Sequence, residues 1–310
     1  MAKLPPPFAL SPEIADALER GKPVVGLEST VITHGLPRPV NMALAVDMEE
    51  TVRSGGAVPA TIAVLDGKIR IGLDEDQLER LAREPNLLKI SSRDFGTALA
   101  QGKNGGTTVA GSLVAAEAAG LRVFATGGIG GVHRQAPHDV STDLTELARR
   151  RVIVVCAGAK AILDLPATLE RLETLGVPVV GYQTDEFPAF YSIKSGLPVS
   201  ARADSPEEVA ELAQAHWGVG LPSAILVTVP PPAETAIPAD EVNKAIEQAL
   251  NEAHAANIRG QSVTPFLLQR VSELSKGKSL QANLSLLKNN AVVAAQIAQH
   301  LPSGTKQHLA

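Results

Sequence analysis

Short apolar runs alternate with amphipathic stretches between Lys22 and Pro230, and that alternation restricts the fold more than any other feature. "KPVVGLE", "LLKIS", "LRVFATGG", "RVIVVCAG", "VPVVGY" and "AILVTVP" read as short strands. "VNMALAVDMEETVRSGG", "TTVAGSLVAAEAAG", "LPATLERLETLG" and "SPEEVAELAQAHW" read as the helices between them. "SPEIADALERG" opens another helix, with Ser11 as cap, Pro12 in the first turn and Gly21 at its end. "AVPATIAVLDGKIRIGL" is two β-runs around Asp66-Gly67, a hairpin signal. Apolar strands linked by helices imply a sheet covered on both faces. From Ala239 onward the pattern is helical throughout. The expectation is a three-layer α/β/α fold with a mostly parallel central sheet and a helical C-terminal region. One catalytic domain would span residues 1–310, with 1–8 and 302–310 as flexible tails.

Composition narrows the partners. Hydrophobic residues make up 45% of the 310 and charged residues 20%, enough apolar material for a sizeable core. Aromatics are 3% and the formal charge is -5, which leaves few stacking platforms and no basic surface for a phosphate backbone. Nucleic acid is thus not an expected partner. The single cysteine, Cys156, permits no intramolecular disulfide, and no apolar run approaches membrane-spanning length. "MAKLPPPFAL" lacks the apolar core of a secretory signal, so a cytoplasmic protein with no membrane partner is expected.

In α/β sheets ligands bind at the loops that follow strands. Glu28, directly after "VVGL", could act as a general acid or base, or merely cap the next segment. Lys89 and Arg93, at the end of "LLKIS", could hold a phosphate or carboxylate, or decorate the surface. Gly105, Gly106, Thr107 and Thr108 stand immediately before a helix, whose free N–H groups attract anions without a dedicated cation. The Walker spacing and its Gly-Lys-Ser ending are missing there, which disfavours a nucleoside triphosphate. Gly127 to Gly131 lead into a polar loop with His133, His138, Asp139, Ser141 and Asp143, oxygen-rich enough for a hard divalent cation. "STDL" is also a good helix cap, which could be the whole task of Ser141 or Asp143. Lys160 sits among Cys156, Ala157, Gly158, Ala159, Ala161, Ile162 and Leu163. Desolvation favours the uncharged form of an amine, whose lone pair can attack carbon; the alternative is a side chain that snorkels to water.

In order along the chain, "GLESTVITHGLP", "GTTV", "TGGIGGVHR", "HDVSTDL", "CAGAK", "TDEFPAFY" and the C-terminal "NN" resemble the pseudouridine-5'-phosphate glycosidases. That family also includes indigoidine synthesis protein A. The resemblance covers Ala9 to Leu301. It implies reversible cleavage of pseudouridine 5'-phosphate to uracil and ribose 5-phosphate, by a homotrimer with one manganese ion per subunit. It further implies Glu28 as proton donor, Lys160 as nucleophile and Asp139 as metal ligand. Lys89, Thr108, Val109 through its backbone amide, Ser141, Thr142, Asp143 and Asn283 would contact substrate, with Asn289 or Asn290 as alternatives to Asn283.

The reaction type explains why a carboxyl group and an amine are needed together. Pseudouridine joins sugar to base through carbon, so hydrolysis by two carboxylates, which ejects an oxygen or nitrogen leaving group, does not apply. An amine that adds to the ring-opened sugar can drive scission of a carbon bond through an iminium. Two rival functions share parts of this pattern. Another imine-forming phosphosugar lyase would use Lys160 and the phosphate site but ignore uracil. A non-catalytic phosphosugar sensor would need the glycine-threonine loop and have no use for Glu28 and Lys160 together.

Overall fold

The computed structural model describes residues 4–134, 136–258 and 263–301. The chain opens with β1 (Phe8–Leu10) and α1 (Pro12–Glu19), the latter capped by Ser11, whose hydroxyl accepts from the Ile14 N–H at 3.3 Å. β2 (Val24–Leu27), buried along its length, leads through a π-helical turn (Val31–Gly35) into α2 (Val40–Ser54). β3 (Val58–Leu65) and β4 (Lys68–Ile71) form the hairpin expected at Asp66-Gly67, both of which take positive φ. α3 (Glu75–Arg83), β5 (Leu88–Ile90), α4 (Phe95–Ala100), β6 (Gly105–Thr107), α5 (Val109–Ala118) and β7 (Val123–Ala125) follow. β8 (Val132–His133), β9 (Ala136–Val140), α6 (Thr142–Leu147), β10 (Ile153–Cys156), β11 (Leu163–Asp164) and α7 (Leu165–Thr174) come next. β12 (Val179–Tyr182), β13 (Ala201–Ala203), α8 (Pro206–Gly218) and β14 (Ile225–Thr228) complete the α/β part. The helical end consists of α9 (Ala239–Ala255), α10 (Val263–Leu274) and α11 (Lys278–Gln299).

The main sheet runs β1-β4-β3-β2-β7-β10-β14-β12-β13, with β6 also beside β3 and β5 beside β6. Every pairing from β3 through β2 to β13 is parallel, whereas β4 and β6 meet β3 antiparallel. Strand β3 shows how both faces are covered. Its Ala60, Ile62 and Val64 pack with Ile14 of α1 and Ala115 of α5, while Ala63 and Leu65 pack with Ala45 of α2 and Leu78 of α3. Each fully buried Val, Leu or Ile contributes roughly 1.5–3 kcal/mol, so the period-2 alternation holds the layers in register. The α/β/α architecture with its helical C-terminal region is the one expected from the alternating pattern.

Two expectations need correction. Val132–His133 and Ala136–Val140 are not irregular polar loop: β8 and β9, with β11, make a separate antiparallel sheet of three strands, and Thr142 and Asp143 begin α6. Its residues His138, Asp139 and Val140 are exposed, so the apolar signature of a strand is missing from them. The N-terminal tail is also shorter than expected. Phe8 pairs with Ile69 of β4, its N–H donates to Pro5 O at 3.1 Å, and Leu4 and Phe8 pack against the core. The C-terminal tail, 302–310, lies outside the described residues.

Strand order sets the place of the site. The chain leaves β2 toward β3 on one side, whereas the loops after β7 lead to β10 on the other, which opens a crevice between β2 and β7. Leu27 of β2 is in register with Ala125 of β7, and Ala125 with Val155 of β10. Glu28, Thr126 and Cys156 therefore leave the sheet side by side.

Candidate active site

At the crevice Glu28 is held by its neighbour in register: the Thr126 hydroxyl donates to Glu28 Oε1. The turn that carries Thr126 is itself fixed from α11, where Asn290 Nδ2 donates to Thr126 O at 2.8 Å and to Gly127 O at 3.4 Å. Cavity walls surround the Glu28 carboxyl while part of it remains open to the cavity. Burial pushes this acid above the ordinary carboxylate range, against the opposing pull of the Lys160 charge and the Thr126 hydroxyl.

Lys160 follows β10 by way of a tight backbone approach. Ala157 N donates to Gly127 O at 2.9 Å, Ile129 N to Gly158 O at 3.1 Å and Lys160 N to Ile129 O at 3.1 Å, so the loops after β7 and β10 are bridged to each other. Gly158 lies at φ +86, and a Cβ there would stand 2.6 Å from Pro188 O. Only glycine fits. The lysine is half-buried and faces the same cavity as Glu28, rather than running from a helix start to the surface. Cys156, the last residue of β10 and four residues before Lys160, is buried, and burial pushes its thiol up to about 12, which makes it an inert core residue.

The N-terminus of α5 borders the same cavity. Thr108 caps it by accepting from Gly111 N at 3.3 Å, Ser112 N is bonded to Thr108 O at 2.8 Å, and Ala110 N is taken by Asp143 Oδ1 at 2.9 Å. Of the first four helical N–H groups this leaves that of Val109, whose residue borders the cavity. Asp143 is buried, and its Oδ2 accepts from Gly130 N at 2.8 Å, so one carboxylate ties the α5 start to the glycine turn. Ser141 caps α6 and accepts from Asp143 N at 3.2 Å. Gly130 is required beside it, because a Cβ would lie 2.3 Å from Ser141 Oγ. Thr107 belongs to the sheet instead of the site: at the end of β6, its hydroxyl donates to Ile62 O of β3 at 2.7 Å.

One cavity of about 320 Å³ gathers these groups. Glu28, Lys160, Lys89, Thr108 and Val109 line it, as do Asp139, Ser141, Thr142, Asp143 and Asn283. Burial, and then the neighbouring Lys160 charge, lower the Lys89 ammonium from its ordinary value. Among the three C-terminal asparagines, Asn283 borders the cavity, Asn290 is spent on the Thr126 turn and Asn289 donates to Pro230 O at 3.4 Å. Residues that the sequence did not mark as site-lining include His34, Phe190 and, on α10, Thr264 and Leu268. The His34 Nδ1 lies 2.7 Å from Thr33 Oγ1, and burial keeps the imidazole below its ordinary pKa. His133 lines the cavity but His138 does not; on β9, His138 and Asp139 point to opposite faces. Among the described residues, no three His, Cys, Asp or Glu side chains come together as a metal set.

A mostly parallel α/β sheet with an acid and an amine at its switch point, facing a helix N-terminus, defines an enzyme acting on a small anionic molecule. The family model described as "Indigoidine synthase A like protein" matches residues 13–300, and the chain belongs to that family. A pseudouridine-5'-phosphate glycosidase of Caldanaerobacter subterraneus subsp. tengcongensis is 53% identical over 294 residues, 94% of this chain and 96% of that one. One from Herpetosiphon aurantiacus is 55% identical over 291 residues, 93% and 96% of the two chains. Among solved structures, the prealnumycin C-glycosynthase AlnA in complex with ribulose 5-phosphate superposes with a TM-score of 0.88 at 42% identity, covering 95% of this chain and 96% of that one. An indigoidine synthase A-like protein from Thermotoga maritima gives a TM-score of 0.86 at 40% identity, covering 94% and 95%.

Proposed function

We propose that this enzyme reversibly cleaves the carbon–carbon glycosidic bond of pseudouridine 5'-phosphate to uracil and ribose 5-phosphate, through a lysine adduct of the ring-opened sugar. The observation that carries the reading is the joint exposure of Glu28 and Lys160 to one cavity that Val109 and Lys89 also line. Glu28 delivers a proton to the ring oxygen as the sugar opens, and the Lys160 Nζ lone pair forms a bond to the anomeric carbon. Glu28 takes the proton that the amine sheds. The nitrogen lone pair then expels the base, whose C5 takes that proton back from Glu28, and an iminium remains on Lys160. Water adds to the iminium and releases ribose 5-phosphate. Overall one water is consumed: a hydrogen ends on uracil C5 and the hydroxyl on the sugar.

The phosphate of the substrate meets Lys89 and the start of α5, where the helix dipole and the Val109 N–H favour an anion. Ser141 to Asp143 and Asn283 frame the rest of the substrate. Manganese belongs to this reading through Asp139, an exposed carboxylate that borders the cavity. One carboxylate suits a hard divalent cation that keeps most of its water. When bound, such an ion supplies positive charge that orders water and polar groups around the substrate. The reading extends to one catalytic domain per chain and a homotrimer in the cytoplasm, as the family resemblance implies. Among the described residues no helix is long and apolar enough to cross a membrane.

The test is direct. Pseudouridine 5'-phosphate incubated with the protein should yield equal amounts of uracil and ribose 5-phosphate. Borohydride added during turnover should leave a reduced pentose phosphate on the peptide that contains Lys160. Cleavage of simple sugar phosphates with no action on pseudouridine 5'-phosphate would replace the reading with that of another imine-forming lyase. Binding with no turnover of either would make the protein a sensor.

A further inference from the structure

We propose that Glu28 recovers its proton from behind the substrate cavity, through a single water, the Thr61 hydroxyl and the Glu49 carboxyl. The proposal rests on Glu28 being the acid of the reaction above. Its basis is a second, small cavity of about 20 Å³ that shares Glu28 with the substrate cavity. Glu28, Thr61 and Thr126 supply its polar lining, and Leu44, Met48 and Leu287 supply apolar walls. A water needs about 10–15 Å³ of such space and two to four polar partners, so one fits and is satisfied.

Thr61 is placed there by the sheet. It lies in register with Leu27, one residue before Glu28, and is buried. Its hydroxyl donates to Glu49 Oε1 at 2.6 Å, which leaves the oxygen free to accept from a water in the cavity. Glu49 belongs to α2 and is half-buried, so it connects the buried hydroxyl with solvent. Burial raises both Glu28 and Glu49 above the ordinary carboxylate range, which favours a proton at either end. The chain carboxyl, hydroxyl, water, carboxyl can pass a proton by reversing each hydrogen bond in turn, with no net transfer of heavy atoms.

Such a route has work to perform because of the order of events. By the time uracil is free, Glu28 has given up one proton net, to the ring oxygen and to C5. The hydrolytic water supplies the compensating proton only later, when the iminium is cleaved, and base and sugar occupy the cavity in the interval. A proton held on Glu49 reaches Glu28 by the rear path, Glu49 regains one from solvent, and the proton freed on iminium hydrolysis leaves to solvent through the open cavity as the sugar departs.

The experiment compares the first turnover with the steady state in full-length Thr61→Val and Glu49→Gln enzymes, by quench-flow with pseudouridine 5'-phosphate. Neither substitution touches the substrate cavity. In each variant one equivalent of uracil per site should appear at the wild-type rate. Steady-state turnover should then fall on the order of tenfold, less than the 10²–10⁴ that a directly acting acid contributes. KM should be unchanged, Thr61→Ser should restore the steady state, and added imidazole should raise that of Glu49→Gln. Steady-state rates equal to wild type in both variants would overturn the route. Equal slowing of the first and later turnovers would also overturn it, since that is what loss of Glu28 positioning gives. If wild-type enzyme fails to cleave the substrate, the reading of the reaction falls first and takes this proposal with it.

Discussion

The cavity has two walls of unlike construction. Glu28, at the end of β2 and held from behind by Thr126, and Lys160, on the loop after β10, form an inner wall, where ladder pairing, the Asn290 clamp and the bridge between the two loops fix the backbone. The outer wall is made by exposed Asp139 on β9, by exposed Arg93, and by Thr264 and Leu268 on α10. Groups that must meet a reacting atom stand on backbone held from both sides. Asp139 and Arg93, which can meet charge, stand where the side chain reaches water, since attraction to a charge tolerates small displacements better than bond formation does.

Substitutions rank these walls. Lys160→Ala should lose several orders of magnitude in kcat yet still bind substrate, because it removes the bond-forming group and leaves the phosphate contacts. Lys160→Arg should fail as badly, since guanidinium stays protonated at any working pH. Near-normal turnover by Lys160→Ala, measured as uracil release, would erase the distinction between the walls.

Glu28→Gln comes next, with a loss of about 10²–10⁴ in kcat. Its effect on stability has the opposite sign. A carboxyl whose folded pKa lies above its unfolded value of 4.5 supports the fold fully below that value and loses this support as pH rises through the folded pKa. Glutamine does not titrate. The variant should therefore melt higher than wild type at pH 8, with the advantage gone at pH 4, and thermal scans at the two values check this. The same burial predicts that wild-type activity falls on the alkaline side as Glu28 stays deprotonated.

Smaller effects belong to the charge-binding groups. Lys89→Ala should raise KM for the phosphorylated substrate by about 10–100-fold, the worth of a hydrogen bond to a charged group at roughly 1.5–3 kcal/mol. The slow reaction of unphosphorylated pseudouridine should not change. If both substrates suffer equally, Lys89 does not read the phosphate. Asp139→Ala should weaken manganese binding, followed by calorimetry, while the unfolding free energy moves by less than about 0.5 kcal/mol, as for other exposed sites. Undiminished affinity would take the metal away from the outer wall.

Legibility in the sequence follows the same division. β2, β7, β10, β12 and β14 are wholly buried, so their residues announce them as unbroken apolar runs. β8 and β9 carry His133, His138 and Asp139 in a small sheet with an exposed side, and composition hides them. Glu28 and Lys160 stood out because ionisable residues interrupt apolar surroundings at strand ends. Thr126 did not, since a threonine after "VFA" is ordinary until the register of β2 with β7 places it against Glu28. The asparagines of α11 could be separated only by helix packing, which turns Asn283 to the cavity and buries Asn290 beneath the Thr126 turn. Asp143 looked like a ligand and is engaged by two backbone N–H groups, a partnership between segments far apart in the chain.

The bridge from Ile129 to Ala159 has a consequence for how the chain can diverge. Each of the two loops supplies the hydrogen-bond partner of the other, so neither can gain or lose a residue alone without shifting Lys160 relative to Glu28. Length changes in a lineage must then fall outside 126–131 and 157–160, or occur in both stretches at once.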